Sequence, residues 1–142
     1  MIEGITNAGD LPVLERVMQF TARRQTLISS NIANISTPGY QAVDVSMDDF
    51  QQHLGEAIDT RRQQGGTGPL TIGDSAGVEL RPDGMVLHPE PTGENLLFHD
   101  GNDRNLERIM QDLVSNFLTY RTASELIRNR FDILETAIRE RV

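Results

Sequence analysis

The sequence predicts a mainly α-helical, elongated protein. Long N- and C-terminal helices are expected to form a coiled-coil-like layer, joined by a loop-rich middle that carries a candidate short β-hairpin. Two observations predict this fold class. Apolar residues recur at alternating steps of three and four near both ends of the chain, as in heptad seams. The 142 residues include no Trp, two Tyr and five Phe, so the buried surface must come mainly from aliphatic side chains.

The same patterns divide the chain into four segments. Residues 1–9 are expected to be a flexible N-terminal arm, and residues 10–40 an N-terminal helix with the turn that ends it. Residues 41–102 read as an irregular middle with a short helix and the candidate hairpin, and residues 103–142 as the C-terminal helix. The length suits one domain and leaves no room for two independent cores.

The N-terminal helix is expected to begin after Asp10, a favourable N-cap residue, with Pro12 tolerated in a first turn whose amides lack helical partners. Its seam is weakened in the middle by two polar residues. The seam positions are Leu11, Leu14, Met18, Thr21, Gln25, Ile28, Ile32 and Ile35. The apolar members predicted to face a helical partner are Leu14, Met18, Ile28 and Ile32.

A turn at residues 36–40 ends this helix. Pro38 lacks an amide donor and biases Thr37 away from helical angles, while Gly39 permits the positive φ of a type II turn. Asn31 and Asn34 lie one helical turn apart, so their amides can bond helix-end carbonyls or a neighbouring chain. From spacing alone an ordinary helix stop is the better explanation, and an assembly motif is the alternative. The residues concerned are Asn31, Asn34, Thr37, Pro38, Gly39 and Tyr40.

The middle segment begins with a short helix, expected through Phe50, Leu54 and Ile58. The adjacent acids Asp48 and Asp49 are expected to be solvated or to cap it, rather than to form a catalytic pair.

Glycine and proline then interrupt the chain. Residues 65–69 are expected to form a flexible, glycine-rich loop, in which the neighbouring glycines can accommodate a substitution at Gly66. Further along, the sequence Arg-Pro-Asp-Gly at residues 81–84 predicts a turn between short strands at residues 78–80 and 85–87. An isolated hairpin is marginal in water, so this one needs a surface to pack on.

The C-terminal helix has the clearest periodicity. Its predicted seam consists of Leu106, Met110, Leu113, Phe117, Tyr120, Ser124, Ile127, Phe131, Leu134, Ile138 and Arg141. All of these except Ser124 and Arg141 are predicted interface residues. A second stripe of Ala123, Leu126, Ile133 and Ala137 runs beside it. We expect Asn105 to cap the helix start and Glu135 to pair with Arg139. One partner helix cannot cover both stripes, as expected for a subunit of a helical assembly.

Charge and composition exclude several classes of function. The net charge of -8 disfavours nucleic acid as a partner, since no local basic stripe offsets it. All thirteen cations are Arg, which fits either bidentate interfaces or codon usage. Zero cysteines exclude thiolate catalysis, disulfides and Cys-type zinc sites. No apolar run approaches the ~20 residues of a membrane span, and the N-terminus lacks the features of a cleaved secretory signal.

The sequence also lacks recognisable catalytic and ligand-binding motifs. No phosphate loop, nucleophile elbow or Ser/His/Asp order is present. The set His88, Glu90, His99 and Asp100 is too loose for metal-ligand spacing, and His53 stands apart. We therefore expect no enzyme activity, no cofactor, no metal and no small-molecule substrate.

The residues at the end of the first helix change the interpretation of the turn. The pattern Asn-x-x-Asn-x-x-Thr-Pro-Gly-Tyr at residues 31–40 resembles the N-terminal motif of the flagellar basal-body rod, hook and axial proteins, with every fixed position present. Residues 22–25 and 42–45, and the C-terminal region from residue 98, are similar to the proximal-rod members in particular. The middle carries no motif that matches.

The resemblance implies a structural subunit that polymerises helically into the rod, the drive shaft that transmits torque from the motor ring to the hook. It implies copies of this chain, other rod proteins, the rod-to-membrane-ring adaptor and the flagellar export apparatus as partners. It also implies a periplasmic location reached by type III export without a cleaved signal peptide. Two alternatives remain at this point: a soluble helical adaptor or export cochaperone, and a cell-wall hydrolase.

Overall fold

A computed structural model describes residues 9–66, 70–73, 77–81, 84–92 and 106–139. The three helices in those ranges are α1 (Leu11–Asn34), α2 (Met47–Gln63) and α3 (Leu106–Arg139), and the short strands are β1 (Val43–Asp44), β2 (Val78–Arg81), β3 (Gly84–Leu87) and β4 (Glu90–Pro91). The mainly helical class, the two long terminal helices and the middle hairpin are confirmed. Residues 1–8 of the predicted N-terminal arm lie outside the described residues, as do Asn105, the predicted cap of the C-terminal helix, and His99 with Asp100.

The long helices α1 and α3 pack antiparallel. Arg130, near the end of α3, bonds the carboxylate of Asp10 at the start of α1, with 2.5 Å between Nη2 and Oδ2. Eleven and fifteen residues beyond Asp10, the Asn116 amide nitrogen donates to the Thr21 carbonyl and to Gln25 Oε1, each at 2.9 Å. Asp10 occupies the N-cap position as predicted, but its side chain makes no capping hydrogen bond.

The main hydrophobic core lies between α1 and the middle segment rather than between the two long helices. The rings of Phe20 and Phe50 stack at its centre, 4.0 Å apart and 5° from parallel. The other buried members are Val45, Leu54, Ala57, Leu70, Ile72, Val78 and Met85. The middle segment therefore supplies most of the core, which its scattered apolar residues did not indicate.

The middle is built on α2 and two antiparallel strand pairs. Ser46 is the N-cap of helix α2, and its hydroxyl accepts from the Asp49 amide at 3.1 Å. Asp48 and Asp49 are exposed in the first turn of the helix. The hairpin pairs Val78 with Leu87 through Arg81 with Gly84, around a turn whose residues 82–83 lie outside the described part. Strand β1 pairs with β4 and ties the chain after the first turn to residues 90–91.

The predicted C-terminal seam is only partly an intramolecular interface. One of its rows is half-buried beside α1: Leu113, Tyr120, Ile127 and Leu134. The buried row is Ile109, Asn116 and Ala123, spaced seven residues apart. The other predicted positions, Leu106, Met110, Phe117, Phe131 and Ile138, are 44–62% exposed, so the contact with α1 does not bury them, and their role as interface residues stays a prediction. The small or polar side chains of the buried row define where the two helices meet, and the richer apolar row is turned away.

The predicted positions of α1 behave more regularly. Ile28 is buried, while Leu14, Met18 and Ile32 are half-buried. The predicted pair of Glu135 with Arg139 is confirmed, with 2.5 Å between Oε1 and Nη2.

Candidate assembly site

Asn31 holds the turn that follows α1. Its side chain is 4% exposed, and its amide nitrogen donates to the Val43 carbonyl at 2.8 Å. Its amide oxygen accepts from the Val43 amide at 3.2 Å and from the Tyr40 hydroxyl at 2.9 Å. One buried amide thereby replaces a strand partner for Val43 and fixes the direction of Tyr40.

The rest of the predicted motif shapes the turn itself. The Thr37 amide donates to the Asn34 carbonyl at 2.8 Å, and the Tyr40 amide donates to the Thr37 carbonyl at 3.2 Å. Gly39 has φ +75°, as the type II turn requires, while Pro38 is exposed. Asn34 bonds the Ser30 carbonyl of its own helix at 2.9 Å. The six predicted residues thus lie together, with Asn31 as their buried anchor.

A buried arginine next to the turn joins three elements. Arg24 of α1 forms a bidentate ion pair with Asp44 of β1, with 2.9 Å from Nε to Oδ1 and 2.5 Å from Nη2 to Oδ2. Its Nη2 also lies 3.5 Å from Oδ1 of Asp112 on α3. Burial by itself would lower the pKa of Arg24, but the hydrogen bond and charge of Asp44, aided by Asp112, raise it above its ordinary value. Arg24 therefore stays charged and orients β1 and α3 about α1.

Sequence reasoning did not assign a role to Arg24 or to Asn116. Arg24 precedes Asn31 by seven residues, which places both on one face of α1, and that spacing was the available signal. Asn116 lies in neither of the two stripes that the sequence predicted for α3. It is fully buried, and no described residue donates a hydrogen bond to its Oδ1 atom.

An apolar groove runs along the outside of the α1–α3 pair. One cavity of about 470 Å³ is lined by Leu11, Glu15, Met18, Gln19, Ala22, Tyr120, Ile127 and Phe131. A second of about 330 Å³ continues it past Ala22 and Tyr120 to Gln25, Asn116 and Phe117. Five predicted interface residues thus line one groove: Met18, Phe117, Tyr120, Ile127 and Phe131.

The described residues offer little for other chemistry. They contain no group of three or more His, Cys, Asp or Glu side chains arranged to hold a metal ion. His88 instead contacts Glu79, with 3.1 Å between Nε2 and Oε2, and His53 lies beside Glu56. Among these same residues, no helix combines the length and hydropathy needed to cross a bilayer.

Comparison with known proteins places this geometry in a family. A family model described as flagella basal body rod protein matches residues 13–41, which span most of α1 and the whole turn. The chain is 30% identical over 118 residues to the flagellar basal body rod protein FlgB of Yersinia enterocolitica, covering 80% of this chain and 82% of that protein. FlgB of Salmonella typhimurium is 30% identical over 75% of each chain. FlgB of Bacillus subtilis is 25% identical over 92% of this chain and 94% of its own. The chain belongs to the FlgB family of flagellar basal body rod proteins.

Proposed function

We propose that this chain is a structural subunit of the flagellar basal-body rod and that it assembles through the α1–α3 pair. The observation that carries the proposal is the exposure of large apolar residues along α3. Phe117, Phe131 and Ile138 are 52–62% exposed, although each could bury an area worth on the order of 1.5–3 kcal/mol. A surface of this kind is typical of a protein–protein interface.

The partners are copies of this chain and other flagellar rod proteins. The chain polymerises helically with them, in a proximal position next to the rod-to-membrane-ring adaptor, and the rod transmits torque from the motor ring to the hook. The fixed turn supports this proposal, because Asn31 and Arg24 hold β1 and Tyr40 in one direction relative to α1. A repeated contact requires that every subunit presents its surfaces in the same geometry.

The location is the flagellar basal body, and the rod lies in the periplasm. The chain reaches it through the flagellar type III export apparatus without a cleaved signal peptide. Antiparallel helices that can separate without breaking a disulfide suit passage as an extended chain, and the sequence contains no cysteine.

The test is complementation of a strain that lacks this gene. Basal bodies purified from the complemented strain should contain the full chain, detected with an antibody, and the cells should swim. Uncomplemented cells should lack rods and be non-motile. A chain that stays in the cytosol bound to exported proteins while rods form without it would contradict the proposal and favour an adaptor.

A further inference from the structure

The groove on the α1–α3 pair has two ends of different chemistry. Its larger part, around Met18, Ile127 and Phe131, is almost entirely apolar. Its other part ends at Asn116, which is buried and whose Oδ1 atom accepts no hydrogen bond from any described residue. From Leu11 to Gln25 the groove follows fifteen residues of α1, whose fourteen steps of ~1.5 Å span about 21 Å. That length accommodates about four turns of another helix.

The opposite face of the same helix pair carries an apolar ridge, defined here as Leu126 and Ile133. Relative to the buried Ala123, a helical rotation of ~100° per residue places these two residues about 60–80° to one side. The same rotation places Phe131, in the groove, about 80° to the other side. Leu126 and Ile133 are 47% and 54% exposed, and the sequence pattern already required a second partner for them.

The apolar part of the groove and the ridge lie at the same height along the axis of α3. The apolar part of the groove is lined by Ile127 and Phe131, and the ridge spans Leu126 to Ile133. A parallel neighbour with no large axial shift would therefore bring apolar ridge against apolar groove. Toward Asn116 the ridge face continues with Thr119 and Thr122, whose hydroxyls can turn from their own helix carbonyls to an acceptor.

Charge favours a second copy as the occupant. The net charge of -8 resides in the middle of the chain, because residues 103–142 contain seven acids and seven arginines and residues 10–35 carry a net +1. Two α1–α3 pairs can therefore approach without strong mutual repulsion. A groove and a ridge on opposite faces of one chain also form a heterologous contact, which repeats from subunit to subunit.

We infer that the Leu126–Ile133 ridge of one copy docks in the Leu11–Gln25 groove of the next copy, with the two α3 helices parallel. The inference rests on the proposed rod function and adds to it a specific contact between two copies. Because the sequence has no native cysteine, single cysteines report on this contact without background. Glu15 in the groove and Leu126 on the ridge are both exposed and lie at about the same level.

The test uses basal bodies from a deletion strain that expresses two full-length variants together, Glu15→Cys and a tagged Leu126→Cys. A short bismaleimide should link them, since packed helix axes lie about 8–10 Å apart. The matched control replaces Leu126→Cys by Glu125→Cys, one residue away and also exposed, but turned from the ridge. The heterodimer yield should exceed the control yield on the order of tenfold, because the control thiol lies on a different side of the helix.

The outcomes separate this inference from the proposed function. Selective linkage of Glu15→Cys to Leu126→Cys supports the contact. Equal yields for the two pairs, or none, in basal bodies that contain all the variants would overturn the contact and leave the rod function standing. Absence of every variant from basal bodies of swimming cells would overturn both. Because cysteine replaces exposed side chains only, the variants are expected to fold, and circular dichroism of each purified chain checks this.

Discussion

Replacing Asn31 with alanine tests whether this residue is the anchor of the turn. The change removes three hydrogen bonds: one donated to the Val43 carbonyl, one accepted from the Val43 amide and one accepted from the Tyr40 hydroxyl. At about 0.5–1.5 kcal/mol each, their loss costs about 1.5–4.5 kcal/mol. The higher helix propensity of Ala returns about 0.5 kcal/mol. We expect Asn31→Ala to lower the free energy of unfolding by about 1–4 kcal/mol.

The measurement is urea unfolding of the purified full chain, followed by far-UV circular dichroism. Asn34→Ala is the matched control, because it removes the same side chain from the next turn of α1 but only two exposed bonds, one donated to the Ser30 carbonyl at 2.9 Å and a long one accepted from the Thr37 hydroxyl at 3.5 Å. That variant should stay within about 0.5 kcal/mol of the parent chain. Tyr40→Phe removes the hydroxyl bond alone and should lose about 0.5–1.5 kcal/mol. Equal stabilities of Asn31→Ala and Asn34→Ala would refute the anchoring role.

Three further predictions concern assembly, the turn and pH. Phe131→Asp should change stability by less than about 1 kcal/mol, since the side chain is 52% exposed, yet abolish rods in basal-body preparations by placing a carboxylate in an apolar contact. Gly39→Val and Gly66→Val should each cost about 1–3 kcal/mol of local strain, because both glycines have positive φ, but rod yield should fall only for Gly39→Val; equal yields would contradict a role for the turn in assembly. The hydrogen bond from Arg81, with a second from His88, lowers the pKa of Glu79 to about 2. The ionised Glu79 carboxylate therefore stabilises the hairpin above about pH 4.5, and this stabilisation is lost as the pH falls toward 2. Arg81→Ala should raise that pKa toward 4.5 in an NMR titration, and an unchanged value would contradict the pairing.

The local structure of the ends was predictable because local chemistry determines it. Asp10 and Pro12 mark the start of α1, and Pro38 with Gly39 marks the turn after its end. The hairpin followed equally from its turn residues. One local expectation was incomplete: Gly66 also has φ +73°, so a side chain there is strained even though nothing lies within 4 Å of its Cβ position.

The core of the middle segment could not be predicted because no periodicity connects its members. Phe50 lies on a short helix, Leu70 and Ile72 lie in a loop, and Met85 lies on a strand. Only the tertiary fold brings them to Phe20 on α1. A pattern search detects residues that share a face of one element, and these residues share a core without sharing an element.

The register of the α1–α3 interface was missed for a different physical reason. Periodicity favours the row with the most apolar side chains, which on α3 includes Met110, Phe117 and Phe131. The intramolecular interface instead centres on Asn116 and Ala123, where a small side chain allows close approach and an amide fixes the register. The row richest in apolar residues therefore identified a surface of the helix without identifying what covers it.

This division of surfaces explains why so long a helix carries so little intramolecular burial. Helix α3 has three buried residues in 34, whereas α2 has four in 17, so α3 gains less from packing within the chain for each residue that it orders. Helices in proteins owe most of their stability to packing of an apolar face. If α3 existed for the α1 contact alone, polar residues at Phe117, Phe131 and Ile138 would serve it as well and would avoid an exposed apolar surface. Their presence indicates that the full stabilisation of α3 includes contacts outside a single chain, as a subunit of a rod requires.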